Sequence, residues 1–227
     1  MNNKNIAVGK IILEANEIYK SFANGTNKLN VLVNFTIKVC EGDVITIIGE
    51  SGCGKSTALN IMSTLDQPDK GIVKIDSIDT SKLNDINLSK VRNQKIGFVF
   101  QSHYLLPEFT ALENALMPAW IANKANKKSA VENIFEYLGI LKRKDHYPSQ
   151  LSGGEKARVC LTRAIINKPL ILFADEPTGN LDKRNSEKLI SLFQKINSDF
   201  NQTIILTTQN KEVADFGNKK LILENGV

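Results

Sequence analysis

Lys55 and Ser56 end a glycine-rich run, Gly49-Glu50-Ser51-Gly52-Cys53-Gly54-Lys55-Ser56-Thr57, with the spacing Gly-x4-Gly-Lys-Ser. Glycines at that spacing let the backbone curl until successive amides point inward at phosphate oxygens. A helix starting at Lys55 adds the positive end of its dipole. Lys55 is placed to reach the β- and γ-phosphates of a nucleoside triphosphate, and Ser56 to ligate Mg²⁺. A chance glycine-rich turn is the competing reading. The full spacing, with a buried-type strand before it and a helix after it, disfavours that reading. Cys53 reads first as a small side chain at a tolerant position. A thiol beside a lysine and a helix N-terminus is nevertheless expected to be reactive.

A second constellation is Asp175-Glu176, at the end of the apolar run Ile171-Leu172-Phe173-Ala174. Ligands of open α/β sheets bind at the carboxyl ends of strands. Asp175 is placed to hold the Mg²⁺ shell. Glu176 is placed to orient, or take a proton from, an attacking water. Alone, the pair would be an ordinary acidic strand end; with the phosphate loop upstream, the catalytic reading is preferred.

These groups need a rigid frame. Residues 11–22 and 31–39 read as strands around a turn at Asn24-Gly25-Thr26-Asn27. Residues 44–48 are a continuous apolar run of the buried-strand kind, and residues 96–100, 170–174 and 203–208 read as further short strands, 96–100 and 203–208 of the buried kind. Helices are expected at residues 55–65, after Thr110-x-x-Glu113, after Ser129-x-x-Glu132, and from Gly153 to before Pro169. Both Thr110 and Ser129 fit the capping box. Leu189, Leu192, Phe193 and Ile196 lie at helical spacing and should form a core face. Strands alternating with helices argue for a mostly parallel sheet covered on both faces.

The 227 residues suit one domain with an inserted subdomain. With 42% hydrophobic and 23% charged residues, the chain should fold as a globular protein. No apolar stretch approaches the ~20 residues a spanning helix needs. The Asn- and Lys-rich start, Met1 to Lys10, does not read as a signal peptide. Any membrane role therefore requires a partner. Cys40, Cys53 and Cys160 are too scattered for a disulfide framework or a zinc site. The net charge of +5 comes mostly from dispersed lysines, which read as solvated surface and not as a nucleic-acid footprint.

Taken together, these motifs resemble those of ATP-binding-cassette (ABC) ATPases over nearly the whole length. The resemblance implies a P-loop, RecA-like α/β core with an N-terminal antiparallel β region, from residues 1–101 and 165–227. It implies an inserted helical subdomain over 102–164. Leu151-Ser152-Gly153-Gly154-Glu155 matches the family signature, which closes over the γ-phosphate held by a partner protomer. Gln101 matches the Q-loop residue that touches Mg²⁺ and water. Leu181-Asp182 matches the loop crossing the dimer interface. Phe22 matches the aromatic that stacks on adenine; Tyr19 fits less well, because the register counted back from Val31-Leu32 favours Phe22. ATP with Mg²⁺ and a homodimer are thus implied.

A narrower resemblance, to ATPases of lipoprotein-releasing (Lol) transporters, rests on residues 92–101, on His103, on residues 105–114, on Met117-Pro118, and on Pro177-Thr178-Gly179-Asn180-Leu181-Asp182. Macrolide-export and cell-division (FtsE-like) ATPases share much of this pattern. The resemblance implies integral membrane permease subunits, lipoprotein cargo, and a place on the cytoplasmic face of the bacterial inner membrane. Tyr104, Leu105, Leu106 and Phe109 would then line a groove for a coupling helix; ordinary helix packing is the alternative. One departure stands out. The family carries a switch histidine where this chain has Gln209, which can donate a neutral hydrogen bond but cannot relay a proton. His103 is not a substitute by position. A weakly hydrolysing regulatory ATP-binding subunit is therefore a second reading. A DNA-acting ABC protein is a third, disfavoured because no long heptad run splits the chain.

Overall fold

The computed structural model describes residues 9–25, 27–124, 126–224 and 226. Most of the Asn- and Lys-rich start, and Thr26 in the expected turn, lie outside them. Two sheets make the frame. The first is antiparallel, in the order β2 (Asn27–Cys40), β1 (Ile11–Asn24), β4 (Lys70–Ile75), β5 (Ile78–Asp79). The second is parallel, in the order β6 (Ile96–Phe100), β7 (Ile171–Asp175), β8 (Thr203–Thr208), β3 (Val44–Ile48), β9 (Lys219–Ile222).

Alternation along the parallel strands explains why both faces are covered. Ile171, Phe173 and Ile205 point into one core with Leu13, Ile18 and Val73 of the antiparallel sheet and with Leu59 and Met62 of α1 (Lys55–Met62). Leu172, Ala174, Ile204 and Leu206 point into the other. That second core also takes residues from α3 (Ala111–Ile121), α4 (Lys128–Tyr137), α5 (Gly153–Ile165) and α6 (Lys183–Phe200). A strand buried on both faces has no polar side to show, hence the continuous apolar runs in the sequence.

Several local expectations changed. α1 stops at Met62, three residues short of Leu65, because Thr64 adopts a left-handed φ of 61°. Thr110 does form its capping box with Glu113. Ser129 does not: it lies inside α4, and the Glu132 carboxylate instead accepts from Lys144 Nζ at 2.8 Å. α2 (Asp85–Lys95) and the short α7 (Lys211–Ala214) were not anticipated. Among the described residues no helix is long and apolar enough to cross a membrane.

Candidate functional site

Adjacent parallel strands point the same way, so the loops after β6, β7, β8 and β3 emerge at one end of the sheet. They carry Gln101, Asp175-Glu176, Gln209 and the glycine loop, respectively. The order follows from topology alone and is the reason residues scattered over 160 positions converge.

Within the glycine loop Gly54 has φ 106°, and a Cβ there would meet the Val31 carbonyl oxygen at 2.8 Å. Only glycine fits that conformation and that approach. Lys55 is 4% exposed, and its ammonium donates to Gly49 O at 2.8 Å and Glu50 O at 2.7 Å. Its third direction has only Cys53 Sγ, at 4.0 Å, a weak acceptor. Ser56 Oγ donates to Asp175 Oδ1 at 2.9 Å.

The register of β7 against β8 pairs Asp175 with Thr207. The buried Thr207 hydroxyl donates to Asp175 Oδ1 at 2.7 Å and accepts from the Glu176 amide at 3.0 Å. One hydroxyl therefore fixes the Asp175 carboxylate and the Glu176 backbone. Glu176 is held at φ 41°, a left-handed conformation costing about 1–3 kcal/mol outside glycine. Gln209 Nε2 donates to Glu176 Oε1 at 2.8 Å. Asn180 Nδ2 reaches Gln101 O at 3.0 Å, so the turn after Glu176 also anchors the end of β6.

A cavity of about 330 Å³ is lined by Phe22, Val31, Ser51, Gly52, Gly54, Lys55, Ser56, Thr57, Glu176 and Gln209. Phe22 is exposed and faces it, whereas Tyr19 does not line it. Gly49, Glu50 and Cys53 line a different cavity, of about 290 Å³, behind the loop with Ile222, Leu223 and Glu224. Cys53 thus points away from the front face. Gln101, Asp175, Asp182 and Leu151 to Glu155 do not line the front cavity.

The signature run starts α5. Ser152 caps it: its hydroxyl oxygen accepts from Glu155 N at 3.3 Å, and Glu155 Oε2 accepts from Ser152 N at 2.8 Å. The Ser152 hydroxyl also hydrogen-bonds the Glu155 carboxylate. Ser152 and Gly153 are exposed. Arg143, 2.7 Å from Glu155 Oε1, holds that carboxyl down to about 2. A Cβ on Gly154 would sit 2.9 Å from Asn185 Oδ1. Asn185 in turn gives both its amides to the Asp182 carboxylate at 2.8 Å. Those bonds lower the Asp182 pKa and start α6. The signature helix and the Asp182 loop are therefore in direct contact within one protomer.

Sequence reasoning missed the positioning roles of Thr207 and Asn180. Their roles depend on tertiary placement, which no local signal in the sequence reports.

Strand order, glycine loop and carboxylate pair define a P-loop ATPase. Residues 32–179 match the family described as "ABC transporter". The chain belongs to that family and is an ATP-binding, ATP-hydrolysing subunit of the ABC class. It is 48% identical over 219 residues to the "Lipoprotein-releasing system ATP-binding protein LolD" of Cytophaga hutchinsonii, covering 95% of this chain and 98% of that protein. Against the protein of the same name from Bacteroides fragilis it is 43% identical, covering 92% and 96%. Among solved structures it resembles the dimeric ATP-binding cassette MJ0796 in a post-hydrolysis state bound to ADP and Pi. The TM-score is 0.84 at 36% identity, covering 95% of each chain.

Proposed function

We propose that this chain is the ATPase of a lipoprotein-releasing transporter. In this reading two copies sandwich ATP and Mg²⁺ between them, on permease subunits at the cytoplasmic face of a bacterial inner membrane. The high identity to the named relatives over almost all of both chains supports the cargo class. A single observation carries the catalytic part: Lys55, Ser56, Glu176 and Gln209 share one cavity with Phe22.

Phe22 offers its exposed face to the adenine, and Ser51, Gly52, Gly54 and Thr57 surround the phosphates. Lys55 turns its third N–H from Cys53 Sγ to a phosphate oxygen. The residues fit Mg²⁺: Ser56 Oγ and Asp175 Oδ1 form a hydroxyl–carboxylate pair of hard oxygens, and Gln101 adds an amide oxygen. Bound there, the ion would neutralise charge developing on the transferred phosphoryl group. Glu176 keeps one carboxylate oxygen free of Gln209 and uses it to orient the water. Ser152, Gly153 and Gly154 of the second copy close over the γ-phosphate, flanked by Leu151 and Glu155. Asp182 crosses the interface. Residues 102–164 act as the helical subdomain that receives the permease. Tyr104 and Leu106 are exposed there, while Leu105 and Phe109 are half-buried at the base.

Replacing Glu176 with Gln should trap an ATP-bound dimer on sizing. A variant that binds ATP yet stays monomeric, alone and with its permease, would remove the shared-site mechanism. Gln209 favours the second reading, a weakly hydrolysing regulatory subunit. No turnover by the complete complex would select it.

A further inference from the structure

His103 and Tyr104, two and three residues after Gln101, both have left-handed φ angles, 62° and 46°. Neither is glycine, and consecutive side chains in that region are strained. Something must hold them. The carbonyls of this pair point at α5. Arg163 Nη2 donates to His103 O at 2.7 Å, and Arg163 Nη1 to Tyr104 O at 2.7 Å. Cys160 Sγ adds a third bond to His103 O at 3.2 Å. Burial pushes that thiol up to about 11, so it stays an S–H donor. On the other side Asn180 holds Gln101 O.

We propose that Arg163 is a positioning residue: its planar guanidinium clamps the two strained carbonyls and thereby sets Gln101 from the helix that begins with the Ser152 signature. The fork geometry matters. Two parallel N–H groups meet two successive carbonyls, which a lysine, a single rotating ammonium, cannot do. The clamp also carries a mechanical consequence. Tyr104, 65% exposed, stacks edge-on against Phe100 at 5.2 Å. A partner pressing on Tyr104 therefore acts on the Arg163 bond and on the Phe100–Gln101 strand end together.

The inference rests on the assignment of Gln101 to the ATP site, so Gln101→Ala is measured beside it. In the full-length protein, Arg163→Ala is expected to lower kcat by about 10- to 100-fold, the loss of a charged hydrogen-bond pair, with KM for ATP within about twofold. Amide hydrogen exchange over residues 102–106 should quicken in parallel. His103→Gly, which takes the left-handed angle without strain, should restore most of both in the Arg163→Ala background. A merely structural arginine would show no such rescue. If Arg163→Ala does not fold, Arg163→Lys, keeping one of the two bonds, should give an intermediate loss that His103→Gly again repairs. Wild-type exchange in the Arg163 variants, or a loss that His103→Gly leaves unchanged, overturns the proposal. An unimpaired Gln101→Ala instead removes the Gln101 assignment, and the exchange data still decide the role of Arg163.

Discussion

Gln209 Nε2 and Glu176 Oε1 lie 2.8 Å apart, donor to acceptor, at the ends of neighbouring strands β8 and β7. A neutral amide thus orients the Glu176 carboxylate at the position where the family resemblance implies a histidine. It orients Glu176 without adding a titrating group. Gln209→Ala should lower kcat by about tenfold, the value of one hydrogen bond to a charged group. Gln209→His should raise kcat and add a limb to the pH–rate profile near the ordinary histidine value, about 6.5. Steady-state ATPase rates from about pH 5.5 to 8.5 test both. A wild-type profile that already shows the limb, or a slower histidine variant, would contradict this account of the switch position.

Glu155 supplies a pH prediction. Its carboxyl is held down to about 2, chiefly by the hydrogen bond from Arg143 and also by the Ser152 amide. A depressed carboxylate stabilises the fold fully above its unfolded value, about 4.5. The contribution fades as pH falls toward 2. Arg143 is 45% exposed, so solvent screening keeps the pair under about 1 kcal/mol. Arg143→Ala should move the Glu155 titration up toward its ordinary range. The acid-side loss of thermal stability should then begin at higher pH. Carbon NMR of the Glu155 carboxyl reads the shift directly; an unmoved titration would show that Arg143 is not its cause.

What the sequence could reveal depended on how much of each signal is local. β3, β7 and β8 announce themselves because burial on both faces demands a largely apolar run. The start of α5 is legible because Ser152 and Glu155 cap one another within four residues. α2 is not, since only Leu88 and Val91 of its eleven residues are buried. β9 is hidden for the same reason: it is an edge strand whose residues are exposed apart from half-buried Leu221. Ser129 misled because its partner Glu132 has a competing lysine, Lys144, twelve residues away. The phosphate loop could be read from spacing alone. Thr207 could not, because its link to Asp175 and Glu176 exists only once β7 and β8 are in register.

Cys53 lines the cavity behind the glycine loop, so its chemistry should depend on size. Cys53→Ala should bind ATP about as well as wild type, because the thiol does not line the front cavity. A bulky maleimide should overfill the rear space, push on Gly49 and Lys55, and block binding; a methylthio group should do so much less. ATP should slow the maleimide reaction by ordering the loop. Equal ATP affinity in fully maleimide-modified and unmodified protein, measured by calorimetry, would show that the loop tolerates the intrusion.

Asn114 is buried in α3 and ties down the segment from Leu106 to Thr110. Its Oδ1 accepts from Leu106 N at 2.8 Å, and its Nδ2 donates to Leu106 O, Phe109 O and Thr110 O at 2.9 to 3.1 Å. The side chain of Leu106, by contrast, is exposed. These two residues separate scaffold from contact. Asn114→Leu keeps the volume but strands loop donors and acceptors, at a cost of about 1–3 kcal/mol. For a chain of this length that lowers Tm by about 2–4 °C per kcal/mol. Leu106→Ala should leave Tm nearly unchanged. If the segment is where a permease docks, both variants should lose partner-stimulated ATPase activity while retaining the basal rate. A Leu106→Ala protein stimulated like wild type would place the docking surface elsewhere, and an Asn114→Leu protein with wild-type Tm would mean that water replaces all four bonds.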